Sequence, residues 1–438
     1  MQSSSFQRTL LTAAAALLAS SSAWAQSPLS LDDAVARAVK NNPAVRSAQA
    51  AQDGMSARKD EARAAYLPKV DISEAWMRGN QPVFVFGSLL GQRQFSAANF
   101  DIAALNHPDP LTNTRTAINV EQVIYEGGAV RAGMKMAGLG AEMAAAGRAD
   151  LASALRLMAT QAYGGALIAA SGRRAADSAV ASAEEDLRRV EHQRDAGLAS
   201  EADVLSLKVH VAAMRQRAAS AKADETVARM RLNEAMGEPI DDVFTLQMPP
   251  LPTAAPQRSA QALDERPDVI RAGLQTQFAE AQLSSARSGF LPQAGFQGTY
   301  EFNGSTLGNQ VSAWTVGVQF KWNVFAGMGD AAKKREAEAA ILRAKADRDQ
   351  ATAHARVEMG EAVARLEAAQ TRETLARAVQ AQARESQRIV KDRYEAGLAG
   401  VNDLLRAAAA VLDADVQATA SLVDIFVTRA QFERAQGR

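Results

Sequence analysis

The stretch Asp195-Ala196-Gly197-Leu198-Ala199 recurs as Glu395-Ala396-Gly397-Leu398-Ala399, at an offset of 200 residues. Each copy follows a long segment without proline, which favours a helix. Glycine readily adopts the left-handed conformation that ends a helix, so each stretch is typical of a turn after a helix. The pair predicts two matching helical hairpins in one chain.

The repetition extends outward from these turns. Val123-Ile124-Tyr125-Glu126-Gly127 matches Asn323-Val324-Phe325-Ala326-Gly327 at the same offset, whereas Tyr66-Leu67-Pro68 matches Phe290-Leu291-Pro292 at an offset of 224 residues. The change in offset places a 24-residue insertion in the first copy, between Pro68 and Val123. Chance similarity between alanine-rich helices does not produce several matches in the same order, so the sequence indicates an internal duplication.

Each copy has the same predicted order of elements. An opening helix, Leu31 to Ala64 in the first copy and Ala260 to Arg287 in the second, ends at a Leu-Pro step because proline cannot continue a helix. Two β-strands and a long helical hairpin follow. The first structural repeat is predicted over 26–250, with strands about 69–78 and 114–125 and a hairpin about 127–236. The second is predicted over 251–438, with strands about 293–302 and 312–325 and a hairpin about 328–436.

The strand prediction rests on alternation with a period of two. Between residues 313 and 324 the apolar positions are Trp314, Val316, Val318, Phe320, Trp322 and Val324, and the positions between them are small or polar. A membrane barrel requires this pattern, but a half-buried sheet in a soluble protein gives it too. Asn303-Gly304 follows the preceding predicted strand and predicts a tight connection there.

Composition excludes several classes of function. The chain has 438 residues, 49 basic and 49 acidic side chains and no cysteine, so it lacks the excess positive charge of a nucleic-acid binder and any thiolate site. It also lacks the common motifs of serine hydrolases, zinc proteases and phosphate-binding loops. His354 and Glu358 lie four residues apart, but two ligands predict a solvated pair rather than a metal site. We therefore expect no catalytic residues, metal or cofactor.

The N-terminus predicts export. Residues 1–25 contain Arg8, an apolar run from Leu10 to Ala19 and the sequence Ala23-Trp24-Ala25, which together are typical of a cleaved signal peptide. An uncleaved anchor is the alternative, although the apolar run is too short to span a bilayer as a helix. Later segments are also too short or too polar, so membrane insertion would require β-strands. Four strands cannot close a membrane barrel, and two or three copies would supply eight or twelve.

The duplicated unit resembles the TolC-like outer-membrane efflux proteins, also called outer membrane factors. Besides the Ala-Gly-Leu turns, the resemblance is carried by Leu31-Asp32-Asp33-Ala34-Val35, Asn42-Pro43, Tyr66-Leu67-Pro68 and Phe290-Leu291-Pro292. It implies a mostly α fold with a membrane β-barrel: a homotrimer with a twelve-stranded barrel in the cell outer membrane of a Gram-negative bacterium, continuous with a twelve-helix α-barrel in the periplasm. The implied partners are a periplasmic adaptor and an inner-membrane pump, with no nucleic acid.

The resemblance also implies site residues. The adaptor-docking tips would be the two turns, namely Gly197, Leu198, Ala199, Ser200, Gly397, Leu398, Ala399 and Gly400. The periplasmic aperture would be lined by Asp203, Tyr394, Asp403 and Arg406. Arg406 replaces an acidic residue of the family pattern and Ala399 replaces an arginine, so the family's closed-state contacts do not transfer as a set. A purely local role is the alternative: the glycines end helices, and the aspartates favour the first turn of the next helix.

Two other readings are open from the sequence. A periplasmic adaptor with a coiled-coil hairpin would also be exported, but it should contain one hairpin and a small β-domain rather than a duplicated unit. An enzyme would need a cluster of catalytic groups. The insertion at about 79–113 predicts an outer loop or a flap on the first strand pair, and the exported substrate is not encoded in any motif.

Overall fold

The computed structural model describes residues 28–251 and 263–438. The predicted signal peptide, residues 1–25, lies outside these residues, as does the start of the predicted second opening helix. The described chain is mostly helical. Its helices are α1 (Leu31–Asn41), α2 (Pro43–Ala64), α3 (Pro82–Gly91), α4 (Ile102–Asn106), α5 (Ala129–Asp195), α6 (Glu201–Met236), α7 (Pro267–Ser288), α8 (Gly329–Glu395) and α9 (Val401–Ala435). Its strands are β1 (Pro28–Leu29), β2 (Lys69–Gly79), β3 (Leu111–Glu126), β4 (Thr245–Leu246), β5 (Gln293–Thr306) and β6 (Asn309–Lys321).

The described residues divide into two compact units. The first, which we call the sheet unit, comprises Ala50–Gly147 and Asp268–Ala351 and contains β2, β3, β5 and β6. The second, the helical unit, comprises the described residues up to Gln49 together with those of Arg148–Pro267 and Thr352–Arg438. Helices α5 and α8 contribute residues to both units. None of the helices described is both long and apolar enough to cross a membrane.

The sheet has two chemically distinct faces. Its strands are antiparallel in the order β2-β3-β5-β6, and residues directly opposite one another share a face. The apolar face carries Val70, Ile72, Trp76, Ile118, Val120, Phe296, Tyr300, Phe302, Trp314, Val316, Val318 and Phe320. In β2 and β3 the same face also carries the polar residues Glu74, Thr114, Thr116 and Gln122. The opposite, polar face carries Asn113, Arg115, Asn119, Glu121, Gln297, Thr299, Glu301, Asn303, Thr315 and Gln319. The sheet is open, with β2 and β6 as its edges.

The turn between β5 and β6 differs from the prediction. Asn303 and Gly304 were expected to form the connection, but they pair with Val311 and Gln310 as part of the ladder. A Cβ atom on Gly304 would lie 1.9 Å from the carbonyl oxygen of Asn309, so glycine is needed there for close strand approach rather than for a turn. The chain reverses at residues 307–308, and β6 ends at Lys321, earlier than predicted.

The opening helix of the first repeat is also divided. The sequence predicts one helix from Leu31 to Ala64, whereas the structure has α1 and α2 with Asn42 between them. Pro43 cannot donate a backbone hydrogen bond and so begins a new helix. The side chain of Asn42 accepts the Ala44 N–H at 3.0 Å and donates to the carbonyl of Ala235 at 3.1 Å. Asn42 therefore caps α2 while bonding to the end of α6.

The segment between β2 and β3 is folded. We call residues 80–110 the insertion lobe; they contain α3, a short 3₁₀ helix at Ala97–Phe100, and α4. Phe95 lies between the rings of Phe86 and Phe100, with centroid distances of 4.8 and 5.1 Å and edge-to-face geometry. Edge-to-face aromatic contacts are favourable, and they link the helices of this small lobe although Phe100 stays largely exposed. The predicted outer loop is thus a helical element.

A tyrosine hydroxyl joins three segments of the helical unit. The Tyr163 Oη lies 2.7 Å from the carbonyl oxygen of Leu29 and 2.6 Å from that of Gln247, and it accepts the Gln247 N–H at 3.0 Å. Burial raises the pKa of Tyr163, and the hydrogen bond with Gln247 partly offsets this. Leu29 and Leu246 pair in the two-stranded parallel sheet of β1 and β4. Tyr163 therefore joins β1, α5 and the segment after α6.

Gly127 and its repeat equivalent Gly327 provide a matched test of close packing. Both adopt φ of +59°, but a Cβ on Gly127 would lie 2.6 Å from the Ser288 carbonyl oxygen, whereas nothing lies within 4 Å of the equivalent atom on Gly327. Either Gly→Ala substitution places a side chain on a left-handed backbone, which lowers the free energy of unfolding by about 1–2 kcal/mol. We expect Gly127→Ala to lower it by about 1–3 kcal/mol more, because the new methyl group overlaps neighbouring atoms.

Thermal denaturation of the detergent-solubilised protein, followed by circular dichroism, measures this difference. Gly127→Ala should unfold at a clearly lower temperature than Gly327→Ala. Equal shifts for the two variants would show that the approach of Ser288 to Gly127 is not a packing constraint.

Candidate functional site

The two hairpin turns have the same backbone geometry. Gly197 and Gly397 adopt φ of +72° and +73°. In the first turn the Gly197 N–H donates to the Arg194 carbonyl and the Leu198 N–H to the Gln193 carbonyl, both at 2.8 Å. The second turn repeats both bonds, at 3.0 and 2.8 Å. This pairing is the Schellman motif, in which a left-handed residue ends the helix.

Leu198 and Leu398 are exposed in these turns. Their relative exposures are 80% and 69%. In a Schellman motif the residue after the glycine often packs on the residue five positions earlier, but those residues are the polar Gln193 and Arg393. The leucines therefore lack that apolar partner within their own turns. Two exposed leucines at equivalent positions offer apolar contacts to another protein.

The residues after each glycine begin the return helix. The Ser200 hydroxyl accepts the Asp203 N–H at 3.2 Å, and the Asp203 carboxylate accepts the Ser200 N–H at 3.2 Å, which forms a capping box. In the second hairpin Gly400 has no side chain, and the Asp403 carboxylate accepts the Gly400 N–H at 3.3 Å. The predicted aperture residues Asp203 and Asp403 thus also stabilise the starts of α6 and α9.

Beneath the turns the two hairpins share an apolar cluster. Its buried members are Val190, Val204, Leu207 and Val401, with Leu187, Ala199, Tyr394 and Leu405 packed around them. Residues from α5, α6, α8 and α9 all take part, so the cluster holds the two hairpins together near their tips. Burying apolar side chains of this size stabilises by about 1.5–3 kcal/mol each.

The structure brings the predicted aperture residues together as two separate pairs. Burial raises the pKa of Tyr394, and the nearby carboxylates of Asp203 and Asp186 raise it further. Tyr394 on α8 also packs against the apolar cluster that contains Val204, the residue after Asp203 on α6. Asp403 and Arg406 form an exposed ion pair at 3.7 Å within α9. Exposed pairs of this kind contribute little to stability, and Arg406 leaves Asp403 partly neutralised.

Sequence reasoning missed a second connection between the hairpins. Arg189 on α5 forms an ion pair with Glu395 on α8 at 3.1 Å, and it also contacts Asp186 at 3.5 Å and Glu185 at 2.9 Å. The repeat equivalent of Arg189 is Ile389. The sequence did contain a signal for this contact: one copy has a charged residue where the other has an apolar one. Such a difference indicates that the two copies do not perform the same role.

A half-buried acid–base pair lies in the same region. Burial raises the pKa of Asp186, while Arg189 and Lys391 lower it less strongly. Burial lowers the pKa of His210, and the charge of Asp186 opposes that effect only in part.

Within the described residues, no three histidine, cysteine or acidic side chains are arranged to hold a metal ion. His354 contacts Glu358 at 3.4 Å, and Glu358 also binds Arg266 at 2.5 Å.

His210 predicts a pH dependence of stability. Because its pKa is lowered from 6.5 in the folded state, the unfolded chain binds more protons once the pH falls below about 6.5. Folding should therefore lose stability as the pH falls from 7 through that range. The pKa of Asp186 is raised from 3.8, so this group adds stability as the pH falls, and it does so at more acidic pH than His210.

Chemical denaturation at neutral pH and at mildly acidic pH measures this effect. The stability lost on acidification should be smaller in His210→Gln than in the unsubstituted protein. His192→Gln, which alters an exposed imidazole of α5, controls for the substitution itself. An unchanged acid sensitivity in His210→Gln would exclude His210 as its source.

Comparisons with known proteins agree with this architecture. The pattern of the family described as outer membrane efflux protein matches residues 34–238 and 259–435. The chain is similar to the CmeC outer membrane channel of Campylobacter jejuni, with 18% identity, a TM-score of 0.80, and coverage of 93% of this chain and 85% of that one. It is also similar to the outer membrane protein VceC of Vibrio cholerae, with 17% identity, a TM-score of 0.77, and coverage of 93% and 96%.

A third similar structure is the MtrE outer membrane channel of Neisseria gonorrhoeae, with 18% identity, a TM-score of 0.74, and coverage of 93% of this chain and 88% of that one. At these identities the structural likeness shows the fold. No curated protein matches the chain. The family pattern spans most of the chain, including both hairpins and all four strands of the sheet. The chain therefore belongs to the outer membrane efflux protein family.

Proposed function

We propose that this protein is the outer-membrane exit duct of a tripartite efflux or secretion system. It is a passive conduit and not an enzyme: three copies form a twelve-stranded barrel in the outer membrane and a twelve-helix tunnel in the periplasm. The tunnel docks on a periplasmic adaptor and an inner-membrane pump. Membership of the efflux family supports the channel function, and the two-faced sheet is the observation that carries the membrane assignment.

The apolar face of the sheet is exposed in the single chain. Ile72, Trp314, Val318 and Phe320 are each more than half exposed. A contiguous exposed apolar surface of this kind marks a contact with lipid or protein. Alternation of apolar and polar residues is clearest in β6 and is interrupted in β2 and β3 by residues such as Glu74 and Thr116. Such alternation is the pattern of a membrane barrel, with lipid outside and water inside. The face thus fits a lipid-contacting surface.

Aromatic residues lie at both ends of the apolar face. Trp314 stands beside Tyr300 near one end, and Trp322 follows the other end of β6, where its Nε1 donates to the Phe290 carbonyl at 3.2 Å. Eight residues of extended chain between the two tryptophans span about 26 Å. Strands in outer-membrane barrels are tilted by about 40°, which reduces this span to about 20 Å along the membrane normal, most of the apolar band of about 25 Å that lies between two aromatic girdles.

The open edges of the sheet support the trimer. In lipid, every unpaired backbone group along β2 and β6 would cost several kcal/mol. Pairing β6 of one copy with β2 of the next satisfies both edges, and three copies give twelve strands. The shared apolar cluster near the tips is consistent with two hairpins acting as one wall segment of a tunnel.

Native mass spectrometry in detergent tests the oligomeric state. We expect a mass of three protomers: a closed ring leaves no sheet edge in lipid, and the resemblance to outer membrane factors implies three copies rather than two. A folded preparation that has the mass of one or two protomers would contradict the proposal.

The exposed leucines of the tips are the proposed adaptor contacts. Replacing both Leu198 and Leu398 by aspartate should weaken adaptor binding, since losing an apolar anchor costs about 1–3 kcal/mol. Folding should change by only about 0.5 kcal/mol, because both side chains are exposed. Leu307→Asp is the matched control: Leu307 is a turn leucine of the sheet unit with 71% exposure.

Co-purification of the adaptor and an efflux assay measure the effect, with outer-membrane abundance as the control for folding. The double variant should lose both adaptor binding and efflux at normal abundance, and Leu307→Asp should retain both. Normal adaptor binding by the double variant would exclude these turns as the docking site.

A further inference from the structure

The insertion lobe packs against the polar face of the sheet. Gln92, the residue that ends α3, donates from Nε2 to the Thr112 carbonyl at 2.8 Å and to Asn113 Oδ1 at 2.9 Å. Asn113 Nδ2 in turn donates to Asn303 Oδ1 at 3.1 Å. We call these three side chains the lobe anchor. All are nearly inaccessible, with relative exposures of 4%, 5% and 6% for Gln92, Asn113 and Asn303.

The register identifies the face that the anchor occupies. Asn113 alternates with Thr114 and so shares a face with Arg115, and Asn303 shares that face with Glu301. Arg115 and Glu301 form an ion pair at 2.6 Å on it. This is the face opposite Trp314 and Val318. The lobe is therefore held on the side of the sheet that faces water when the apolar face contacts lipid.

The lobe also lies at one particular end of the strands. It connects the end of β2 to the start of β3, and Arg93 donates to the Ser312 carbonyl at 3.0 Å, close to the β5–β6 turn. The helices α2, α5, α7 and α8 adjoin the other ends of the four strands. If those helices are periplasmic, the lobe is at the outer end of the sheet.

The remaining surface of the lobe carries large apolar side chains among polar ones. Val83, Leu90, Phe100 and Ile102 are all exposed. Across residues 80–110 the formally charged side chains are Arg93, Asp101 and Asp109. Asp101 is used locally, because its Oδ1 caps α4 by accepting the Ala103 and Ala104 N–H groups. An apolar surface held on the water-facing side of a sheet needs a partner to cover it.

We propose that the insertion lobe is a lid over the outer mouth of the channel, and that its partner is the same lobe in the neighbouring copies. This inference rests on the proposed trimer. In a closed ring the polar faces enclose a lumen, so three lobes held on those faces meet near the axis and cover Val83, Phe100 and Ile102 against one another. The lid would restrict bulky solutes from outside, and loosening the lobe anchor would open it.

The absence of cysteine from the chain allows a direct test. Thr315→Cys places a thiol on the polar face, and Val316→Cys places one on the apolar face of the same strand. Intact cells are treated from outside with a small polar maleimide or with a bulky polyethylene-glycol maleimide. With the lid in place, Thr315→Cys should react with the small reagent and resist the bulky one, and Val316→Cys should react with neither.

Two sets of variants then open the lid in the Thr315→Cys background. Gln92→Ala removes the lobe anchor, and Phe100→Asp with Ile102→Asp places like charges where three lobes would meet. Either change should raise labelling by the bulky reagent at least several-fold, with trimer abundance unchanged. A third variant, Phe100→Cys, should be joined between protomers by a short bis-maleimide, and Leu307→Cys in the β5–β6 turn should not.

The outcomes separate the two proposals. Reaction of Val316→Cys with the small polar reagent would overturn the lipid-facing assignment and with it the proposed function. If the two faces behave as expected but the bulky reagent already labels Thr315→Cys, or labelling is unchanged by both sets of variants, the lid is wrong and the channel stands. Failure of Phe100→Cys to crosslink in an intact trimer would exclude contact between lobes.

Discussion

Backbone hydrogen bonding at the two open edges of the sheet is the constraint on which the rest of the molecule depends. β2 and β6 each pair on one side only within the described chain, and water can satisfy such edges whereas lipid cannot. The exposed apolar face fits contact with lipid under the proposed function, and the unpaired edges would make an isolated sheet unfavourable there. The proposed assembly with other copies would satisfy both features. Duplication reduces the number of unpaired edges, because one chain supplies two adjacent strand pairs.

The two units differ in the side chains that they expose and pack. The sheet unit has aromatic and branched side chains outside, whereas the helical unit has many alanines and small close contacts. A Cβ on Gly164 in α5 would lie 2.3 Å from Val423 in α9, so the helices approach closely there. Ion pairs such as Arg173–Glu225 at 2.6 Å and Arg384–Asp415 at 2.8 Å lie along each hairpin. Near the tips the copies differ in charge, because Arg189 and Ile389 occupy equivalent positions.

Local signals made much of the fold predictable, and long-range contacts account for the rest. Alternation identifies the strands, and Gly-Leu turns identify the hairpins, since both depend on neighbours in sequence. Asn303-Gly304 misleads because its pairing with Val311 and Gln310 overrides a favourable turn sequence. The Arg189–Glu395 pair and the Gln92–Asn113–Asn303 contacts join residues remote in sequence, so no local pattern could have located them. The docking role of the tips came from family resemblance, and the geometry adds the exposure of both leucines.

The hydroxyl of Tyr163 has a consequence for the order of folding. Leu29 near the start of the described chain meets Tyr163 across 134 residues, and its strand partner Leu246 is still further along. Closing such long loops is slow, and the parallel pair of β1 and β4 has no local nucleus. If the chain is exported as proposed, Leu29 must wait for most of the first repeat before it meets Tyr163 and Leu246. Until then the backbone groups that β1 pairs with β4 lack those partners, which would leave this segment open to chaperones and proteases.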